Sequence, residues 1–162
     1  MNLVEVEDRT RTGLDTAAVA RLVATVLDAE GVDGAEVAVT FVGERRMRAL
    51  NREHRGKDEV TDVLSFPLED WADGPGAGFD GPPAPAGPPL LLGDVVVCTR
   101  RALRQARTAG VPPAFELSVL LVHGALHLLG HDHETDAGRM ALRQAEILEL
   151  VDWEAIGVAP AR

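Results

Sequence analysis

Hydrophobic positions along the chain change period several times, and each change marks an element. Leu3-Val4-Glu5-Val6-Glu7 alternates imperfectly and predicts a first strand. From Ala17 to Ala29 the apolar residues Val19, Leu22, Val23, Val26 and Leu27 recur at helical spacing behind Asp15, a suitable N-cap, and Gly31 is placed to end the helix. Glu36 to Val42 is β-branched and bounded by Gly34 and Gly43, which predicts a second strand. A short helix over residues 44–54 then turns Met47 and Leu50 inward. His54 to Pro67 runs from a charged loop into a short apolar strand, closed by Pro67 because proline has no N–H for a ladder.

The second half reads as clearly. Residues 73–89 are dominated by Gly, Pro and Ala and predict a flexible surface insertion without chemistry. Leu90 to Cys98 is a near-continuous apolar run, as expected of a strand covered on both faces. A helix follows from Thr99 to about Thr108, and Gly110-Val111-Pro112-Pro113 stops it and starts the next, with Glu116 near the positive end of the new helix dipole. Phe115 to Leu129 is mostly apolar and predicts a buried central helix, in which Gly124 and Ala125 let a neighbouring strand approach closely. Thr135 is placed to cap a last helix to about Trp153, amphipathic through Met140, Ala141, Ile147, Leu148 and Val151. The expected architecture is α+β: one domain over residues 1–162, with a small four-stranded mixed sheet packed by about five helices.

Composition narrows the setting. At 162 residues the chain can bury a core without staples, and its single cysteine, Cys98, allows no internal disulfide. Cys98 reads as a small buried hydrophobe. No basic, apolar leader opens the sequence and no apolar run would cross a bilayer, so a soluble, cytoplasmic protein without membrane partners is expected. Net charge is −10, yet Arg45, Arg46, Arg48, Arg52, Arg55 and Lys57 form one basic cluster, and Arg100, Arg101, Arg104 and Arg107 a second. A basic face on an acidic body suits selective binding to one folded RNA or particle better than general coating of phosphate. A solvated helix face explains the second cluster equally well.

The chemistry concentrates in Val122-His123-Gly124-Ala125-Leu126-His127-Leu128-Leu129-Gly130-His131-Asp132-His133. His123 and His127 stand one helical turn apart and project from one face, so their imidazoles can converge on one ion. Gly130 can adopt a positive φ, end the helix and bring His133 back as a third nitrogen. His131 competes for that place, but a helix ending at Gly130 favours His133. Three neutral imidazoles with a fourth position left to water form the pattern of a catalytic zinc. The spacing matches the zincin signature H-E-x-x-H-x-x-G-x-x-H, except that Gly124 replaces the glutamate serving peptidases as general base. Separately, Arg55 beside Gly56 at a strand entry can present a bidentate fork to phosphate; an ion pair with Asp58 or Asp62 is the structural alternative.

Taken with Asn51, Arg55-Gly56-Lys57-Asp58, Thr61-Asp62-Val63-Leu64-Ser65-Phe66-Pro67 and Leu92-Gly93-Asp94-Val95, the histidine stretch resembles the YbeY family of bacterial endoribonucleases, which act in ribosomal RNA maturation. The resemblance covers nearly the whole chain in order. It implies one zinc held by His123, His127 and His133, with Arg55 lining the substrate cleft, and a single-strand-specific, zinc-dependent endoribonuclease in which Arg55 and His123 carry catalysis. Implied partners are ribosomal RNA, components of the small ribosomal subunit and a ribosome-associated GTPase. The chain departs from the family pattern at His131, often tyrosine, and in the length of the Gly/Pro-rich insertion. With no glutamate beside the metal, the nucleophile would come from metal-activated water or from the RNA's own 2′-hydroxyl. Asp132 and Glu134 flank the third ligand and could orient its ring. Two other readings use the same residues: a non-catalytic ribosome-assembly factor with a structural zinc, and a zinc peptidase with a displaced base.

Overall fold

The computed structural model describes residues 1–69, 88–132 and 138–158. The chain forms β1 (Leu3–Asp8), α1 (Thr16–Ala29), β2 (Ala35–Val42), α2 (Glu44–Arg55), β3 (Val63–Pro67), β4 (Leu90–Cys98), α3 (Thr99–Ala109), α4 (Pro113–Leu128) and α5 (Arg139–Leu148), followed by a 3-10 turn at Trp153–Ile156. The four strands form one mixed sheet in the order β1-β2-β4-β3. β1 pairs parallel with β2 and β2 with β4, while β3 runs antiparallel along β4 with Ser65 opposite Val95. The expected α+β architecture is therefore the observed one.

Local chemistry sets the boundaries. Asp15 caps α1 by accepting from the Ala18 N–H at 3.0 Å. Pro112 and Pro113 start α4, where the missing N–H groups leave no intrahelical bond unmade. α4 is the central helix: it packs against α1, α3 and α5 and lies on β3 and β4. Leu117, Leu121, Val122, Ala125, Leu126 and Leu128 are wholly buried there with Val95, Val97 and Phe41 of the sheet. The opposite face carries a smaller apolar cluster, in which Met47 and Leu50 of α2 meet Val42, Leu64, Val96 and Cys98. Cys98 is buried as expected, and that burial pushes its thiol above the ordinary range.

Three expectations need correction. β4 is covered on both faces only in its second half: Leu91 and Asp94 are exposed, because α2 screens only the far end of that face. The last helix is shorter than the pattern suggests. It starts at Arg139, behind Gly138 in the left-handed region, and ends at Leu148; the Thr135 cap lies outside the described residues. Val151 reaches the core from beyond the helix end, and Ala141 is exposed, so the inward stripe of α5 is Met140 and Ile147. The apolar spacing suggests a longer helix because Val151 is buried four residues after Ile147, one helical turn on, although the helix has already ended. Most of the Gly/Pro-rich segment over residues 73–89 also lies outside the described residues.

Candidate metal centre and substrate cleft

α4 delivers its two histidines to the edge of the core, both half-buried. Their Nε2 atoms stand 3.1 Å apart, with ring centroids 4.6 Å apart and planes at 75°. The other ring nitrogen of His123 is also engaged: Nδ1 lies 3.0 Å from the side-chain oxygen of Gln144 on α5. An amide oxygen only accepts, so this pairing suits a proton on Nδ1 and leaves Nε2 as the nitrogen of His123 that faces His127. A second imidazole nitrogen 3.1 Å away suits either a shared proton or a shared cation between the two rings. Two nitrogens each about 2.0–2.1 Å from a tetrahedral zinc stand roughly 3.3–3.4 Å apart, so the pair fits such an ion with a shift of a few tenths of an ångström.

The helix ends as the spacing predicts. Leu129 caps α4, Gly130 has φ 92, and the His131 N–H donates back to the Leu126 carbonyl at 3.1 Å. This turn sends the His131 ring toward α1, where Nε2 stands 3.5 Å from a Glu30 carboxylate oxygen, at ion-pair distance. Glu30 also pairs with Arg143 of α5, whose guanidinium donates to the Ala29 carbonyl at 2.7 Å. Its carboxyl is held below the usual range by the contact with His131 and then by Arg143, against the opposing pull of burial. His133 and Glu134 lie outside the described residues. Among the described residues no third His, Cys, Asp or Glu joins His123 and His127.

Gly124, between the two histidines, is a packing residue. A Cβ there would stand 2.7 Å from a methyl of Val95 and 3.3 Å from the Ser65 hydroxyl. That hydroxyl donates to the Gly124 carbonyl at 3.0 Å and ties β3 to α4. The position that carries the peptidase base is thus closed by the sheet, as the close approach expected from the sequence requires.

His123, His127, Gly130, His131 and Asp132 share a cleft of about 690 Å³ with Arg55 and the strand segment from Thr61 to Ser65. Arg55 is the last residue of α2, exposed, with Gly56 closing the helix behind it. Neither carboxylate offered as its structural partner takes it. Asp58 receives Arg48 at 2.8 and 3.1 Å, while Asp62 accepts from the Val63 N–H and from Gln105 of α3. Among the described residues Arg55 has no ion-pair partner. Ser65 and Gln144 were not singled out by sequence reasoning. Ser65 stands within the Thr61–Pro67 motif, but nothing in the sequence couples Gln144 to a histidine 21 residues earlier on another helix.

No single helix among the described residues is long and apolar enough to cross a membrane. The family model described as Endoribonuclease YbeY matches residues 5–152. An Endoribonuclease YbeY of Macrococcus caseolyticus is 46% identical over 131 residues, covering 79% of this chain and 80% of that protein. One of Geobacillus kaustophilus is 46% identical over 133 residues, covering 79% and 81%. The solution structure of a Thermotoga maritima protein superposes with a TM-score of 0.60 at 25% identity, covering 91% of this chain and 87% of that one. With a family model spanning the sheet, the histidine helix and the cleft arginine, and relatives at this level of identity along most of their length, the chain belongs to the endoribonuclease YbeY family.

Proposed function

We propose that this protein is a zinc-dependent, single-strand-specific endoribonuclease that processes ribosomal RNA in the cytoplasm, with small-subunit components and a ribosome-associated GTPase as its partners. The observation that carries the reading is one cleft holding two imidazole nitrogens 3.1 Å apart together with an arginine that has no ion-pair partner among the described residues. His123 and His127, with His133, would hold the zinc. When bound, such an ion lowers the pKa of a coordinated water toward neutrality and polarises a phosphoryl oxygen. The remaining work falls to the chain's own groups. Arg55 offers a planar, permanently ionised donor to the non-bridging oxygens of the scissile phosphodiester and to the charge that develops on them. Gly124 leaves no side-chain base at its own position on the helix, so the nucleophile is not deprotonated from there. The whole chain would act as one domain.

The packing of Gly124 against Val95 also argues against the peptidase reading, since no carboxylate fits where that chemistry requires one. The test is zinc analysis combined with cleavage of single-stranded ribosomal RNA by wild type, His123→Ala and Arg55→Ala. His123→Ala should lose both zinc and cleavage. Arg55→Ala should keep its zinc and lose cleavage by about 100- to 1,000-fold, the usual effect of removing one transition-state donor. A zinc-loaded wild type without ribonuclease activity would favour the assembly-factor reading instead.

A further inference from the structure

Gln144 has no place in the chemistry above, yet it is the partner of the inner nitrogen of His123. Its side-chain oxygen lies 3.0 Å from Nδ1, on the far side of the ring from the Nε2 that faces His127. The neutral imidazole has two tautomers, and which nitrogen is left to bind a cation depends on where the proton sits. An acceptor fixed at Nδ1 selects the tautomer with Nε2 unprotonated and also sets the rotation of the ring. We infer that Gln144 is a positioning residue for the metal centre, holding His123 as its Nδ1–H tautomer so that Nε2 points at the site shared with His127. The inference rests on the zinc reading above.

The placement of Gln144 is itself built. α5 is held against the body of the protein from both sides of this residue, by Met140 and Ile147, which are wholly buried. The adjacent Arg143 fastens the helix to the end of α1 through Glu30 and the Ala29 carbonyl, and to its own helix through Glu146 at 2.9 Å. Gln144 is half-buried, so its amide reaches His123 from a fixed backbone at the edge of the core. α5 therefore serves the metal helix as an acceptor-bearing brace as well as a packing partner.

The experiment compares wild type, Gln144→Leu and Gln144→Glu. Leucine keeps the approximate volume without an acceptor, and glutamate keeps the acceptor and strengthens it. Zinc affinity is measured by competition with a chromogenic chelator, and the His123 tautomer of the metal-free protein is read from its ring nitrogen-15 shifts. Gln144→Leu should bind zinc about 10- to 100-fold more weakly, the usual effect of losing such a partner. Its His123 should become a mixture of tautomers, while its melting temperature stays near that of wild type. Gln144→Glu should restore both readouts. Equal zinc affinity in wild type and Gln144→Leu, or an unchanged His123 tautomer, would overturn the inference. A wild type that takes up no zinc would instead sink the metal reading, and this inference with it.

Discussion

Replacing Gly124 with alanine tests the packing argument on which the site depends, because two known effects act there with opposite signs. On an exposed helix face, glycine to alanine stabilises by about 1 kcal/mol through propensity alone. Here the added Cβ stands 2.7 and 3.3 Å from the two methyls of Val95 and 3.3 Å from Ser65 Oγ. Carbon atoms settle about 3.5–4.0 Å apart, so the nearer contact overlaps by roughly 1 Å. Val95 is 1% exposed and β-branched, with few rotamers, and cannot swing aside without displacing the core. Forcing a methyl into such a site costs about 1–3 kcal/mol. Moving α4 outward to relieve the clash stretches the Ser65–Gly124 hydrogen bond, worth about 1 kcal/mol. With the propensity gain subtracted, the variant should be less stable than wild type by about 1–3 kcal/mol. Urea unfolding should show this as a lower midpoint with an unchanged slope. Ser65→Ala should cost less in the Gly124→Ala background than alone, since the bond is already strained there. A Gly124→Ala protein as stable as wild type would refute the close approach of α4 to β4.

Gly93 is a stricter case: it has φ 136 just past the irregularity where β2 and β4 shift register, and a Cβ would press into the backbone carbonyl of Phe66. Gly93→Ala should therefore lose more than about 3 kcal/mol or fail to accumulate as folded protein, checked by circular dichroism and soluble yield. Glu30→Gln should destabilise at pH 7 by roughly 1–3 kcal/mol. Because the folded carboxyl is held below its ordinary value of 4.5, its contribution is present above that value and is lost as pH falls through the lower folded one. The stability difference between wild type and Glu30→Gln should therefore shrink on acidification, measured by urea midpoints from pH 7 down to about pH 3. Dialysis against a chelator should lower the melting temperature, and zinc at about 100 times its Kd should restore about 2.7 kcal/mol.

How far the sequence reveals this molecule depends on whether the signal is local. β1, α1, β2, α2 and β4 stand where periodicity and punctuation put them, since Asp15, Gly43 and the apolar run Leu90–Cys98 act within a few residues of themselves. The pairing of His123 with His127 is legible for the same reason: one helical turn fixes it. The turn at Gly130 is legible too, because only a few residue types tolerate its φ. What the sequence hides is set by packing between elements. Asp58 and Asp62 both stand near Arg55 along the sequence, and only the fold shows that Arg48 and Gln105 take those carboxylates. The end of α5 is hidden because a chain that has left the helix can still bury a residue at a helical interval, as Val151 does four residues after Ile147. Gln144 is invisible in one dimension, since its distance to His123 follows from how α5 lies on α4.

The same distinction changes what Gly124 means. Read along the sequence, it is a peptidase motif with its base deleted, a residue defined by what it lacks. In the fold it is the point where the histidine helix touches β4, with Ser65 of the neighbouring strand bonded to its carbonyl. That contact places His123 and His127 on the cleft wall beside the Thr61–Ser65 segment, and the loop leading into that segment starts from Arg55 at the end of α2. A helix carrying glutamate here would stand farther from the sheet, and the imidazoles would move with it, away from the arginine on the other wall. The absence of a carboxylate at this position and the juxtaposition of the two histidines with Arg55 across one cleft are therefore two consequences of one close approach, so the packing that leaves no room for a peptidase base is also the packing that sets the histidines opposite the arginine.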